Sequence, residues 1–223
     1  MEPAATAATA LAEAHRLERQ STSDQLAALL RDAILSGRLG PGAALEEGPF
    51  ADAFGVSRNT LREAIRQLER AGLLTRTRYR VATVATFAPA DVDDVFRLRR
   101  LLEIGALDEI EADPPDDVSE LERALSDLLR IGPSDERWQE QVAADFGFHR
   151  ALVGLAGSPR LARTYEQISD EVRLCLSLTD RWDSDPDDQR EQHRALFALV
   201  AAGDFARCRT LLSAHIDDAR SRV

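Results

Sequence analysis

The chain reads as a mainly α protein in two parts, an N-terminal winged helix-turn-helix and a C-terminal all-α bundle of about six helices. Three observations predict this. Residues 57–73 form an amphipathic, Arg-rich helix directly behind a shorter helical segment. Two runs of alternating pattern about a polar tip follow, over 73–84, as a β-hairpin requires. Beyond a break at Phe87 Ala88 Pro89 Ala90 every segment carries the helical period and no strand signal appears.

With 223 residues, 44% of them hydrophobic, the chain can fill two small cores. Its formal net charge of −11 is unevenly spread: residues 21–86 hold nine Arg against seven acidic residues, whereas 87–223 hold seventeen against twenty-nine. An acidic whole is compatible with nucleic-acid binding because attraction to phosphate depends on the local patch. All 28 basic residues are Arg, a composition bias to which no mechanism attaches. Cys175 and Cys208 are too few and too scattered for a disulfide framework or a Cys-based zinc site, and each lies in a helical apolar pattern. No signal-type apolar region and no stretch of about 20 apolar residues occurs. The expectation is a cytoplasmic protein with no membrane contact.

Residues 1–20 are Ala-rich without a sustained apolar stripe, which predicts a flexible tail, with His15 solvated. Leu26, Leu29, Leu30, Ala33 and Ile34 mark a helix from Ser21 to Ser36, ended by Gly37 and the turn Gly40 Pro41 Gly42. A short helix runs from about Pro49 to Phe54, with Phe50 and Phe54 expected in the core and Gly55 closing it. The gap to Ser57 allows only a tight turn, so this helix and the next form a helix-turn-helix. In the second helix Leu61, Ala64, Ile65 and Leu68 stand at i, i+3, i+4 and i+7, Ser57 is the N-cap and Gly72 the stop. A winged domain over 21–86, a linker over 87–90 and bundle helices near 91–112, 117–131, 135–156, 159–178, 186–202 and 204–221 complete the reading.

Off the apolar stripe of the second helix lie Arg58, Asn59, Arg62, Arg66, Gln67 and Arg70. Such side chains donate forked hydrogen bonds to guanine or adenine edges and to phosphates. Between 57 and 80 seven Arg stand against two Glu, a clustering that an ordinary solvated face does not need. This face is read as the DNA-recognition surface. Arg76, Arg78 and Arg80 make the hairpin beside this helix a wing, able to lie along the adjacent backbone or minor groove.

The bundle contains three of the four His. Asp145 and His149 are i, i+4 and project from one helix face. His193 lies ten residues before Gly203 and His215 twelve after it, so on antiparallel neighbours rising about 1.5 Å per residue they reach comparable heights. Three imidazoles and a carboxylate suit a divalent Zn, Ni or Mn ion, with exogenous oxygen ligands if six are needed. An Asp/His₃ site with open positions could also activate water, but no nucleophile or general base stands out beside it. A metal-free architectural DNA binder would leave the polar set unexplained. The reading is a DNA-binding regulator, not an enzyme, and response to a ligand is what a family resemblance adds.

Phe54 Gly55 Val56 Ser57 Arg58 Asn59 Thr60 Leu61 Arg62 Glu63 Ala64 Ile65, followed by Leu68 and Gly72 Leu73, resembles the DNA-binding domain of the GntR family of bacterial transcription regulators. The second half, with Asp145, Phe148 His149, His193, Gly203 Asp204, Ala206 and His215, looks like the FCD ligand-sensing domain of that family's FadR-type branch. The resemblance implies a homodimer on a near-palindromic double-stranded operator, with DNA contacts from Arg58 and Arg62 and with Asn59 and Thr60 beside them. It also implies that Arg99 projects into an effector cavity, the alternative being a surface i, i+4 pair with Glu103. A metal beside Arg99 favours an anionic, oxygen-rich ligand, so a small carboxylate is the expected effector. The chain departs from the family pattern in Gly48, where an Arg is common, in the wing tip Arg78 Tyr79 Arg80, in Ser158, and in Gln192 before His193.

Overall fold

Ser21 caps α1 (Thr22–Leu35) with its side chain, accepting from the Asp24 N–H while Asp24 accepts from the Ser21 N–H. The computed structural model describes residues 21–76, 81–131, 138–177 and 186–223. The N-terminal tail with His15, the wing tip with Arg78, Tyr79 and Arg80, and the stretches 132–137 and 178–185 lie outside the described residues.

A two-residue strand β1 (Ala44–Leu45) leads into α2 (Glu47–Phe54). Gly55, at φ 63°, ends α2 in the left-handed conformation and turns the chain into α3 (Arg58–Arg70). Ser57 caps α3 by accepting from the Thr60 N–H at 3.1 Å. Leu61, Ala64, Ile65 and Leu68 are all buried, against Leu26, Leu30 and Ile34 of α1. The strands β2 (Leu74–Thr75) and β3 (Ala82–Val84) follow, and the antiparallel sheet has the order β1-β3-β2, with Ala44 opposite Thr83 and Leu74 opposite Val84. The hairpin was expected and β1 was not, since two residues show no periodicity and pair only because β3 is there. Phe54 also departs from expectation: it is 44% exposed, with Phe50 partly buried beside it at 6.4 Å between ring centroids.

The first bundle helix, α4, spans Pro89–Ala112. Pro89 is its first residue and Asp91 Oδ2 accepts from the Ala88 N–H at 2.9 Å, so of the stretch read as linker only Phe87 and Ala88 precede the helix. The rest of the bundle is α5 (Ser119–Arg130), α6 (Trp138–Gly154), α7 (Pro159–Ser177), α8 (Pro186–Ala201) and α9 (Phe205–Ser221). Helix α6 packs between α5 and α7, α4 lies against α6, α7 and α9, and α8 joins α5 to α9. Leu107, Ile110, Phe148, Leu152, Val172, Leu196 and Leu212 fill the centre.

The two cores touch at two places. Phe87 packs at the edge of both. Leu174 of α7 is buried in the core of the winged domain rather than in its own bundle. No described helix is long and apolar enough to cross a membrane.

Candidate DNA-reading face and metal centre

Helix α3 turns its apolar stripe inward, which leaves Arg58, Asn59, Arg62 and Arg66 exposed on the other side with Thr60 half-buried at the start. Thr60 is engaged in the cap, its hydroxyl 2.8 Å from that of Ser57. Arg66 pairs with Glu63 at 3.4 Å and Arg62 Nε donates to Glu47 Oε2 at 2.7 Å. Gln67, read from sequence as part of the same face, instead donates to Asp24 Oδ1 of α1 at 2.8 Å and serves the packing of the two helices. Gly48 leaves room for Arg58, whose Nη2 lies 3.6 Å from where a Cβ would stand. Arg78 and Arg80 are outside the described residues.

The four acidic and imidazole candidates of the bundle do converge. Asp145 and His149 from α6, His193 from α8 and His215 from α9 are all buried, and one ligand atom of each lies within 4.8 Å of all the others. Each imidazole is anchored through its far nitrogen. His149 Nδ1 lies 2.8 Å from Glu103 Oε2, His193 Nδ1 2.7 Å from the Gln189 carbonyl, and His215 Nδ1 2.8 Å from Gln192 Oε1. Carbonyl and carboxylate oxygens only accept, so each Nδ1 carries the proton. The Gln192 amide is oriented by its own nitrogen, which donates to Asp188 Oδ2 at 2.9 Å.

With the proton on Nδ1, an imidazole at each of the three positions turns an Nε2 lone pair inward in its neutral form. His149 Nε2 and His215 Nε2 face each other at 3.2 Å, and His193 Nε2 stands 3.0 Å from Asp145 Oδ1 without the alignment of a hydrogen bond. Three lone pairs and a carboxylate pointed at one another repel unless a cation lies among them, and this donor set fits a divalent ion. Phe148 closes one side, edge-on to His149 and His193 with ring centroids at 5.6 and 5.0 Å. Burial lowers the His149 pKa against the pull of Glu103. Burial and the two neighbouring imidazoles lower that of His215 further. Burial works against the Asp145 carboxylate, and the positive charge of Arg99 is among the influences that hold its pKa below the ordinary range.

Arg99 pairs with Glu103, but inside the bundle and not on its surface. Both side chains are fully buried, with Arg99 Nε donating to Glu103 Oε1 at 2.7 Å and the guanidinium 5.1 Å above the Phe146 ring. The Arg99 atoms Nη1 and Nη2 are buried without a hydrogen-bond partner. Tyr165 of α7 donates its hydroxyl to the same Glu103 oxygen at 2.8 Å. Burial opposes ionisation of Glu103, and His149 and Arg99 together outweigh it.

Two residues that support the site escaped the sequence reading, and a third stands out there only for its departure from the family. Glu103 is the hub that orients His149, Arg99 and Tyr165, yet an i, i+4 Arg/Glu pair looks the same on a surface as in a core. Tyr165 gave no signal of its own. Gln192 reads from sequence as a departure from the family pattern that could alter the surroundings of a metal, and its amide lies 2.8 Å from His215 Nδ1. The thiols of Cys175 and Cys208 are buried in the bundle core, which pushes them up to about 12 and about 11, so they are inert packing groups.

Comparison with known proteins agrees with both halves of this description. Residues 22–84 match the family model of bacterial regulatory proteins of the gntR family, and residues 94–218 match that of the FCD domain. The chain is 32% identical over 188 residues to an HTH-type transcriptional regulator from an unstable DNA locus of Streptomyces ambofaciens, covering 84% of this chain and 78% of that protein. It is 29% identical to a probable D-xylose utilization operon transcriptional repressor of Paenarthrobacter nicotinovorans, covering 92% and 90%. Among solved structures, a GntR-type transcriptional regulator from Rhodococcus sp. RHA1 is similar at 29% identity and a TM-score of 0.77, covering 91% of this chain and 97% of that one. The chain thus belongs to the gntR family of bacterial regulatory proteins, as a DNA-binding transcription regulator with an FCD domain and not an enzyme.

Proposed function

We propose that this chain is a homodimeric repressor that holds a divalent metal ion in its helical domain and leaves or re-grips its operator when a small carboxylate binds beside that ion. The observation that carries this reading is the set of three imidazoles, each anchored by Nδ1 and each turning an Nε2 lone pair toward Asp145. A bound Zn, Ni or Mn ion would supply a positive charge with coordination positions left for ligand oxygens. With Nε engaged by Glu103, the Arg99 guanidinium keeps its two Nη atoms as an end-on fork for a carboxylate.

Helix α7 offers a path from that site to the DNA-binding domain. Tyr165 rests on Glu103, and nine residues on, about 14 Å along the axis, Leu174 enters the core of the winged domain. Between them Asp170 lies 3.2 Å from Arg31 of α1, and Glu171 lies against Gly72 behind α3. A ligand that favours one position of Tyr165 therefore biases the seat of the recognition helix, by no more than its preference between the two arrangements.

Operator contacts are assigned to Arg58, Asn59, Thr60, Arg62 and Arg66, with Arg78 and Arg80 on the wing. Dimerisation is assigned to the helical domain, where Leu98 and Leu101 leave an apolar strip of α4 exposed at 39% and 65%. Two copies would set their recognition helices about 34 Å apart or at a multiple of that. Repression is the reading that the relative named as a probable operon repressor supports, and the cytoplasm is the compartment in which such a regulator would meet its operator.

Elemental analysis of purified protein, with His193→Ala and His215→Ala beside it, tests the metal, and titration with a panel of small carboxylates with and without chelator tests the effector. Metal content near zero after reconstitution would overturn the first, and chelator-insensitive ligand binding the second.

A further inference from the structure

The DNA-facing surface of the winged domain contains a carboxylate that a phosphate-binding face would do better without. Glu47, the first residue of α2, turns its side chain into the junction of α2, α3 and β2 and is only 24% exposed there. Its Oε2 accepts from Arg62 Nε at 2.7 Å and its Oε1 from Arg76 Nη1 at 3.4 Å. Arg76 is tied at the same time to Glu69 of α3, its Nε donating at 2.8 Å. Partial burial works against the Glu47 carboxylate, but hydrogen bonds from Arg62 and Arg76 keep its pKa below the ordinary value. At the next residue, Gly48, the Arg58 side chain lies nearby, its Nη2 3.6 Å from where a Cβ would stand.

We infer that Glu47 is a positioning residue for operator reading, fixing the Arg62 guanidinium by its Nε edge so that Nη1 and Nη2 are presented end-on to the bases. An unrestrained Arg on an exposed helix samples many rotamers, and ordering it at the moment of binding costs conformational entropy. A carboxylate held within the protein removes that cost beforehand and leaves one donor pair aimed outward, the pair that guanine O6 and N7 accept. The same carboxylate repels phosphate, so it weakens contacts that read no sequence while it strengthens one that does. The inference rests on the assignment of Arg62 to the operator.

The two effects have opposite signs on two kinds of DNA, which makes them separable. The probes are a duplex enriched by the wild-type protein from a random-sequence library and an unrelated duplex of equal length. Glu47→Gln should lower affinity for the enriched duplex on the order of tenfold while raising it for the unrelated one. Glu47→Asp keeps the charge but withdraws it by one methylene, and should lose preference for the enriched duplex without the gain on the unrelated one. In an Arg62→Ala background Glu47→Gln should no longer lower affinity for the enriched duplex. Loss of the Arg62 Nε–H resonance in free Glu47→Asp would report the broken contact directly. If Glu47→Gln instead raises affinity for both duplexes by one common factor, Glu47 is a brake and not a positioner, and the inference is overturned. If Arg62→Ala binds the enriched duplex like wild type, the assignment of Arg62 itself fails and takes the inference with it.

Discussion

Tyr165 and Leu174 stand on the same helix but are buried in different cores. The first packs with Ala106, Val153 and Ile168 and donates to Glu103, and the second is enclosed by side chains of the winged domain. Leu174→Ala is expected to cost about 2–5 kcal/mol, as truncation of a buried Leu does, and to fall on the seating of the winged domain. Calorimetry should show the loss while metal content stays at the wild-type level. Reduced metal content would place Leu174 in the bundle's own stability instead.

Arg58→Ala should weaken binding to the operator by roughly 1–3 kcal/mol. Because the side chain is exposed on the outer face of α3, the melting temperature should not move. Gel-shift titration beside a thermal melt checks both halves, and an unshifted binding curve would mean the reading face is drawn wrongly.

Glu103→Ala would leave the fully buried Arg99 guanidinium without its anion. Breaking a buried pair on one side typically costs about 3–5 kcal/mol, so this variant should be among the most damaging in the bundle. Arg99→Met with Glu103→Gln, which removes both charges, should recover much of the fold but not carboxylate binding. Chemical denaturation of the single and double variants gives the comparison.

Saturating a site at a hundred times its dissociation constant stabilises the folded state by about 2.7 kcal/mol. Chelator should therefore lower the melting temperature of the metal-loaded protein measurably. In His193→Ala the difference between chelated and metal-loaded samples should vanish, and a persistent difference would point to an ion bound elsewhere.

The pH dependence follows from burial of the imidazoles. His149 and His215 have folded pKa values below the ordinary 6.5. Below pH 6.5 the unfolded chain takes up protons that the folded bundle refuses, so metal-free protein should lose stability as pH falls from there toward the lowered values. His215→Gln should flatten this slope in melts run in chelator between pH 7 and 5.

Much of the DNA-binding half was legible because its signals are local: Ser57, the stripe from Leu61 to Leu68 and Gly72 delimit α3 whatever surrounds it. The Asp and His set was legible because His is scarce here and two of its members are i, i+4. What escaped depends on contacts distant in sequence. β1 exists only through β3. Pro89 reads as a break or as a helix start until Asp91 is seen to reach back to Ala88. The apolar period of α7 satisfies a bundle helix throughout, and nothing in it marks Leu174 as serving the other domain. Gln67 looks like a base-reading amide until Asp24 is found opposite.

Gly72 has a positive φ of 71°, and a Cβ there would come within 2.2–2.3 Å of the Glu171 side chain. The two halves of the chain thus meet closely at a residue that also ends α3, where Glu171 would have to turn aside for any side chain. A chimera that joins this winged domain to a foreign sensor would need a helix offering a Leu where Leu174 stands and clearance where Glu171 stands. Without both, the proposed route from Tyr165 to the winged domain would be broken.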